Sequence, residues 1–257
     1  MGWGDELMGS GLAKGAKARG QRIAFGDGRQ VYWTPQAKEL FRNNPNVLPP
    51  DGDIRGKDVV WVPHYRGSRM YHTGRTRERW LYNSTFHATP GEIFFDREEE
   101  TFADQQQAGL VIIEPNTKRI PIAENKQWPF ERYQKVADAL RQEGYRVGQF
   151  VYPTARRLEN VLPVATSSFR QAVAVVKKSS LFVGPEGGLH HGAAAVDTPA
   201  VVIFGAFTPV AQTGYDFHSN FSIDEPCGSL TKCKHCEEAM KKIPSSAVID
   251  SALELLR

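Results

Sequence analysis

The sequence predicts an α/β protein of two lobes, each built on a parallel sheet, facing each other across a cleft. Three observations lead there. Short β-branched apolar runs alternate with amphipathic stretches along most of the 257 residues, the pattern of parallel strands joined by right-handed helical crossovers. An acidic, Gln-rich run at 97–107 interrupts the alternation, which sets an N-terminal lobe over 1–105 and a C-terminal lobe over 106–257, both of ordinary domain size. The apolar run Leu181–Gly184 passes directly into a glycine turn and a small-residue helix, and in doubly wound sheets such a junction lies beside the ligand.

The expected strands are Gln21–Phe25, Asp58–Val62, Gly109–Glu114, Val147–Tyr152, Leu181–Gly184, Ala200–Phe204 and Phe221–Ile223, several of them closed by Gly or Pro. Between them helices are expected at Glu6–Arg19, Pro35–Arg42, Pro129–Glu143, Ser168–Lys177 and Gly188–Val196, with Lys234–Ile243 and Ser245–Leu256 ending the chain.

Composition narrows the class. A 40% hydrophobic, 24% charged chain is an ordinary globular protein. No apolar run reaches membrane-spanning length and the first residues lack a signal-peptide pattern, so a cytoplasmic location is expected. The net charge of +3 does not by itself call for nucleic acid, but residues 55–89 carry seven Lys/Arg against two acids. Within that segment, 64–80 interleaves arginines with Tyr65, Tyr71 and Trp80, a composition that suits an anionic glycan or glycolipid and a nucleic acid equally, or a solvated loop.

Three motifs carry chemistry. In Pro185-Glu-Gly-Gly-Leu-His-His191 the backbone N–H groups around Gly187 and Gly188 stand at the positive end of a helix, where missing Cβ atoms admit a diphosphate; a tight packing turn is the plain alternative, against which the adjacent imidazoles His190 and His191 weigh as poor core residues. Lys126, before Trp128-Pro129 and a helix start, is placed to neutralise phosphate oxygens, with a plain solvated lysine as the alternative. Asp5, in the loop Gly2-Trp-Gly-Asp, is either an N-cap or a general base. Near the end, Cys227, Cys233, His235 and Cys236 supply enough ligands for a structural zinc, while a disulfide or three packed thiols stay open.

In order and spacing these motifs resemble glycosyltransferase family 9, the lipopolysaccharide heptosyltransferase-like enzymes of the GT-B fold. Gly2-Trp-Gly-Asp5 is similar to the family's glycine loop with its proposed catalytic base, and Lys126-Gln-Trp-Pro129 to its Lys-x-Trp-Pro element. Glu186-Gly-Gly-Leu-His-His-Gly-Ala-Ala194 is similar to an acidic-Ser/Thr-Gly-x-x-His-x-Ala-Ala element, with His191 at the histidine position and Gly187 in place of the hydroxyl residue. Pro199 to Pro209 is similar to a Pro-x-hydrophobic-Phe-Gly-x-Thr-x-Pro segment.

The resemblance implies a GT-B-like fold of two Rossmann-like lobes, here with a reduced N-terminal lobe, and inverting, metal-independent transfer of a sugar, heptose among the candidates, in lipopolysaccharide biosynthesis. It implies a nucleotide-diphospho-sugar donor held by Asn116, Thr117, Lys126, Ser168, Phe169, Glu186, Gly187, Gly188 and His191. Arg66, Arg69 and Arg75 are expected to bind an anionic acceptor, with peripheral membrane contact compatible, and no cofactor is expected in catalysis. A sugar-nucleotide epimerase of the same architecture and a nucleic-acid-binding or -modifying protein using 64–80 remain alternative readings.

Overall fold

The computed structural model describes all of residues 1–257. In chain order the elements are α1 (Trp3–Lys17), β1 (Arg22–Phe25), α2 (Pro35–Leu40), β2 (Val59–Val62), β3 (His72–Arg75), β4 (Trp80–Tyr82), α3 (Arg97–Asp104), β5 (Val111–Ile113), α4 (Pro121–Glu124), α5 (Phe130–Gln142), β6 (Val147–Val151), β7 (Leu162–Ala165), α6 (Phe169–Lys177), β8 (Leu181–Pro185), α7 (Gly188–Ala195), β9 (Ala200–Gly205), α8 (Val210–Thr213), β10 (Ser219–Ser222), α9 (Lys234–Lys242) and α10 (Ser245–Leu255). Every expected strand and helix is present with ends shifted by a few residues. No helix is long and apolar enough to cross a membrane.

Six parallel strands form the C-terminal sheet in the order β10-β9-β8-β5-β6-β7. Counted within the lobe, this is the Rossmann order in which the winding reverses between β5 and β8, and ligands bind beyond the carboxyl ends of strands at that reversal. Successive strand residues face opposite layers: Val111, Ile113, Val183 and Val201 pack with Tyr133, Leu140 and Val248 on one side, whereas Ile112, Phe182 and Val202 meet Val175, Val176 and Ala193 on the other. The N-terminal lobe is reduced, as expected. Its sheet has two parallel strands, β1 and β2, extended only by a bridge between Ile23 and Val47. Leu7, Phe25, Leu40 and Phe41 form its core.

The structure adds elements to those expected, among them the short helices α4 and α8. The basic stretch is not a loop throughout, because β3 and β4 pair as an antiparallel hairpin. The acidic run contains α3, opened by a capping box in which the Asp96 carboxylate accepts from Glu99 N–H and the Glu99 carboxylate from Asp96 N–H. An additional edge strand, β7, follows β6.

The lobes meet through two helix pairs, α1 on α7 and α3 on α6. Between α3 and α6 lies Arg170, with no solvent exposure. Its Nε and Nη2 donate to Glu99 at 2.7 and 2.8 Å, Nη1 to the carbonyls of Glu39 and Leu40, and Nη2 also to the Phe94 carbonyl at 2.5 Å. Burial would raise the Glu99 carboxyl, but Arg170 holds it below its usual range.

A second buried carboxyl sits in the N-terminal core. Glu6 accepts from the Thr34 hydroxyl at 2.6 Å and lies 3.8 Å from the wholly buried His64 ring. Burial pushes the Glu6 carboxyl up to about 7 and His64 down to about 4.

Arg170→Ala should destabilise the protein by about 2–4 kcal/mol in urea unfolding, since it leaves Glu99 with only Arg42 and Asp96 N–H and takes the side-chain donor from the Leu40 and Phe94 carbonyls. Glu6 has a folded pKa above its unfolded value, so ionising it opposes folding progressively as pH rises through about 7. Glu6→Gln should therefore gain about 2–3 kcal/mol relative to the parent between pH 4 and pH 8, measured as the difference of their unfolding free energies at each pH.

Candidate active site

A cavity of about 1030 Å³ lies between the lobes, at the carboxyl ends of β5 and β8. Asp5, Asn116, Thr117, Lys126, Ser168, Phe169, Glu186, Gly187, Gly188, His191 and Arg69 all line it. Arg66 and Arg75 do not; both are solvent-exposed.

Two helices begin at this cavity. α1 starts after Gly2 and α7 after Gly187, and neither start has a side chain bonded as its N-cap. Two sets of unsatisfied backbone N–H groups, each at the positive end of a helix, thus face one space. Their close approach depends on glycine. A Cβ at Gly4 would lie 2.5 Å from the His191 ring, and one at Gly188 3.0 Å from Trp3 Cβ and 3.2 Å from the Phe169 ring. A Cβ at Gly187 would meet no atom within 4 Å, so that residue leaves room beside the cavity. The paired glycines therefore divide the two roles read from the sequence, Gly188 packing one lobe on the other and Gly187 keeping the backbone approachable.

Asp5 is the third residue of α1, so Gly2 and not Asp5 is the N-cap. Its Oδ2 accepts from Gly2 N–H at 2.5 Å, its Oδ1 accepts from the Tyr71 hydroxyl, and Arg69 Nε lies 3.4 Å from Oδ1. Burial would raise the carboxyl, but Arg69, Gly2 N–H and Tyr71 together hold it below the usual carboxylate range. It is ionised at neutral pH.

Across the cavity, Lys126 donates to Glu186 Oε2, and the His191 ring lies 3.5 Å from Oε1. Burial again opposes ionisation of Glu186, and Lys126, followed by His191, outweighs it and keeps the carboxyl far below its usual range. His191 pairs through Nδ1 with the Tyr215 hydroxyl at 2.8 Å. Its neighbour His190 is a core residue, contrary to the expectation for two adjacent imidazoles. It is wholly buried among Phe204, Tyr215 and His218, and burial pushes it well below the ordinary histidine value.

Several lining residues spend their side chains on protein partners. Ser168 caps α6 by accepting from Gln171 N–H, and Phe169 stacks on Trp3 with centroids 4.8 Å apart. Asn116 donates to Glu114 and accepts from Arg156 N–H, which ties the loop after β6 to the end of β5. Thr117 donates to Gln127 at 2.9 Å. Glu114, whose carboxyl burial pushes up to about 7, and Tyr71 are site residues that the sequence reading did not select.

The cysteine cluster lies behind this site. Ligand atoms of Cys227, Cys233, His235 and Cys236 all fall within 4.8 Å of one another, the three thiols are free, and His235 Nδ1 is buried without a partner. Sγ of Cys227 stands 3.9 Å from that of Cys233 and 3.1 Å from that of Cys236. Thiolates on one tetrahedral zinc stand about 3.8 Å apart, given a bond of about 2.3 Å; the Cys227–Cys233 spacing matches, Cys236 would move away from Cys227 by less than an ångström, and the ligand types fit a metal. Asn125 anchors the cluster's loop: it accepts from Cys233 N–H at 2.8 Å and donates to the Thr231 and Ser229 carbonyls. The residue that follows it is Lys126.

Comparison with known proteins places these features in a family. The sequence profile described as glycosyltransferase family 9 (heptosyltransferase) matches residues 82–243. Lipopolysaccharide heptosyltransferase 3 of Escherichia coli strain K12 is 32% identical over 109 residues, 37% of this chain and 30% of that protein. The chain thus spans less than a third of the curated relative it matches. Among solved structures, the family 9 glycosyl transferase of Veillonella parvula aligns with a TM-score of 0.64 at 16% identity, covering 100% of this chain and 95% of that one. TibC from enterotoxigenic E. coli, an iron-containing dodecameric glycosyltransferase, aligns with a TM-score of 0.68 at 14% identity, covering 99% and 73%. These two likenesses establish the fold, and the profile match, which begins at the last residue of the hairpin and runs through the glycine turn at Gly187 and the cysteine cluster, establishes the kinship: the chain belongs to glycosyltransferase family 9.

Proposed function

We propose that this protein transfers a sugar from a nucleoside-diphosphate donor to an acceptor hydroxyl, with inversion at the anomeric carbon. The observation that carries the reading is the convergence on one cavity of two helix starts without a side-chain N-cap, Lys126 and Arg69 with an ionised carboxylate, Asp5, whose charge is not taken up by Lys126. Such a cavity favours a diphosphate over any neutral ligand.

In the proposed reaction the acceptor oxygen attacks the anomeric carbon, its proton passes to Asp5, and the bond from that carbon to the diphosphate oxygen breaks. The charge left on the nucleoside diphosphate is taken by Lys126 and by the N–H groups that follow Gly187, a role that divalent metals fill in other enzymes. Glu186 repels phosphate, so its task is to hold Lys126 and His191 in place and to bind sugar hydroxyls. Asn116, Thr117, Ser168 and Phe169 shape the nucleotide side, and Arg69 holds an anionic acceptor, with the exposed Arg66 and Arg75 guiding it inward. A structure of TibC is described as a complex with ADP-D-β-D-heptose, which makes that compound the first donor to try. The lobe boundary near 105 and a cytoplasmic or membrane-peripheral location belong to the same proposal.

We also assign a structural metal to Cys227, Cys233, His235 and Cys236. When bound it would supply rigidity, fixing the loop that Asn125 grips beside Lys126. TibC is described as iron-containing, so iron and zinc are both candidates.

Asp5→Asn should lower turnover by about 10²–10⁴ while donor affinity stays within about threefold, because the donor is held by the other lobe. Near-normal turnover in that variant would reduce Asp5 to a helix-start residue. Elemental analysis of purified protein should find close to one zinc or iron per chain, and less than about a tenth of an equivalent of both would remove the metal assignment.

A further inference from the structure

Asp5 Oδ1 carries both of the contacts that come from the acceptor side of the cavity, the Tyr71 hydroxyl and the Arg69 guanidinium. The Tyr71 hydroxyl is the one hydrogen-bond donor to Oδ1, Arg69 Nε stands beside it at ion-pair distance, and Oδ2 is turned back onto Gly2 at the start of its own helix. A hydroxyl that approaches Oδ1 from the hairpin side to lose its proton therefore takes the place of Tyr71. We propose that the Tyr71 hydroxyl occupies the acceptor-hydroxyl position at Asp5 and keeps water from being activated there against a bound donor, an inference that rests on the transferase reading above.

Several observations make Tyr71 suited to this. It lines the donor cavity, and its carbonyl accepts from Asn83 N–H at 2.9 Å, which fixes its backbone across the hairpin. Its ring lies 4.2 Å from that of His72 and 6.3 Å from that of Phe86. Burial and the nearby Asp5 charge raise its pKa well above the ordinary tyrosine value, so it remains a neutral donor at any working pH.

The need is chemical. An ionised carboxylate beside an electrophilic anomeric carbon activates water as readily as a sugar hydroxyl. Water would then add its oxygen to that carbon and pass one proton to Asp5 while the bond to the diphosphate breaks, giving free sugar and nucleoside diphosphate. A phenol tethered by the hairpin fills the position without being consumed, and an acceptor that also binds Arg69 can displace it where lone water cannot.

The test is release of nucleoside diphosphate from ADP-D-β-D-heptose without acceptor, with binding of the same compound followed by calorimetry. Tyr71→Phe should bind it like the parent and hydrolyse it roughly 10–100-fold faster, part of the worth of a positioned base, and Asp5→Asn/Tyr71→Phe should lose the gain. If Tyr71→Phe does not fold, Tyr71→Leu carries the same expectation. Unchanged hydrolysis with donor bound, or a gain that survives in the double variant, overturns the proposal and leaves the transferase reading standing. So does a sugar adduct on Tyr71 in the intact mass of the parent, which would make the phenol an acceptor. Failure of the parent to bind any of a panel of ADP-, UDP- and GDP-sugars overturns the transferase reading and this proposal with it.

Discussion

Arg170 is a guanidinium with no water around it, and its contacts reach both lobes at once. From α6 it bonds Glu99 on α3, two carbonyls at the end of α2 and one in the segment leading to α3. A buried pair of this kind is weak evidence for stability by itself, because desolvation offsets much of the attraction. Its geometric effect is larger. With four backbone and side-chain acceptors fixed around one planar group, the N-terminal lobe has one orientation on the C-terminal sheet, and α1 is laid against α7 with Gly4 under the His191 ring. The separation of Asp5 from Glu186, and hence the size of the cavity, follows from that orientation.

The cavity holds two ion pairs, Asp5 with Arg69 and Glu186 with Lys126, and is lined in addition by Lys118 and Arg119. The two pairs are close to self-neutral, and Asp5 lies in the first turn of α1, which leaves the start of α7 with Lys118 and Arg119 as the uncompensated positive field. On the proposed reading, Lys126 would have to be drawn away from Glu186 to meet an anion, whereas the aligned N–H groups of α7 are available without rearrangement.

The C-terminal lobe was legible because its strands are buried on both faces and read as continuous apolar runs ending in Gly or Pro. The edge strand β7 was not, since Pro163 within it argues against a strand, and only its place at the sheet margin makes that proline tolerable. Helix α3 was hidden by its charge, although the Asp96-x-x-Glu99 capping box announced it. For the site, motifs exposed the residues that sit on sheet-end turns: Lys126, Glu186 and His191. Tyr71 escaped because its partner is 66 positions away and nothing local marks a tyrosine that will meet a carboxylate. The misreading of His190 has a similar cause: adjacent residues on a helix turn to different sides, and sequence adjacency to His191 said nothing about which side was the core.

The hairpin of β3 and β4 lies in the first third of the chain, yet it is fastened to the other lobe. Trp80 N–H donates to the Gly228 carbonyl, Leu230 N–H to that of Glu78, the Tyr82 hydroxyl to that of Phe207, and, just beyond the hairpin, Ala88 N–H to that of Gln212. Tyr71 and Arg69 thus travel with the donor-side lobe, while Asp5 travels with α1. Any hinge opening that lifts α1 from α7 would break the Asp5–Tyr71 contact and leave the hairpin's anchors whole. On the proposed roles, the base and the surface that would receive the acceptor are thus carried by separately anchored parts of the fold, and the Asp5–Tyr71 contact is where those parts are brought into one constellation.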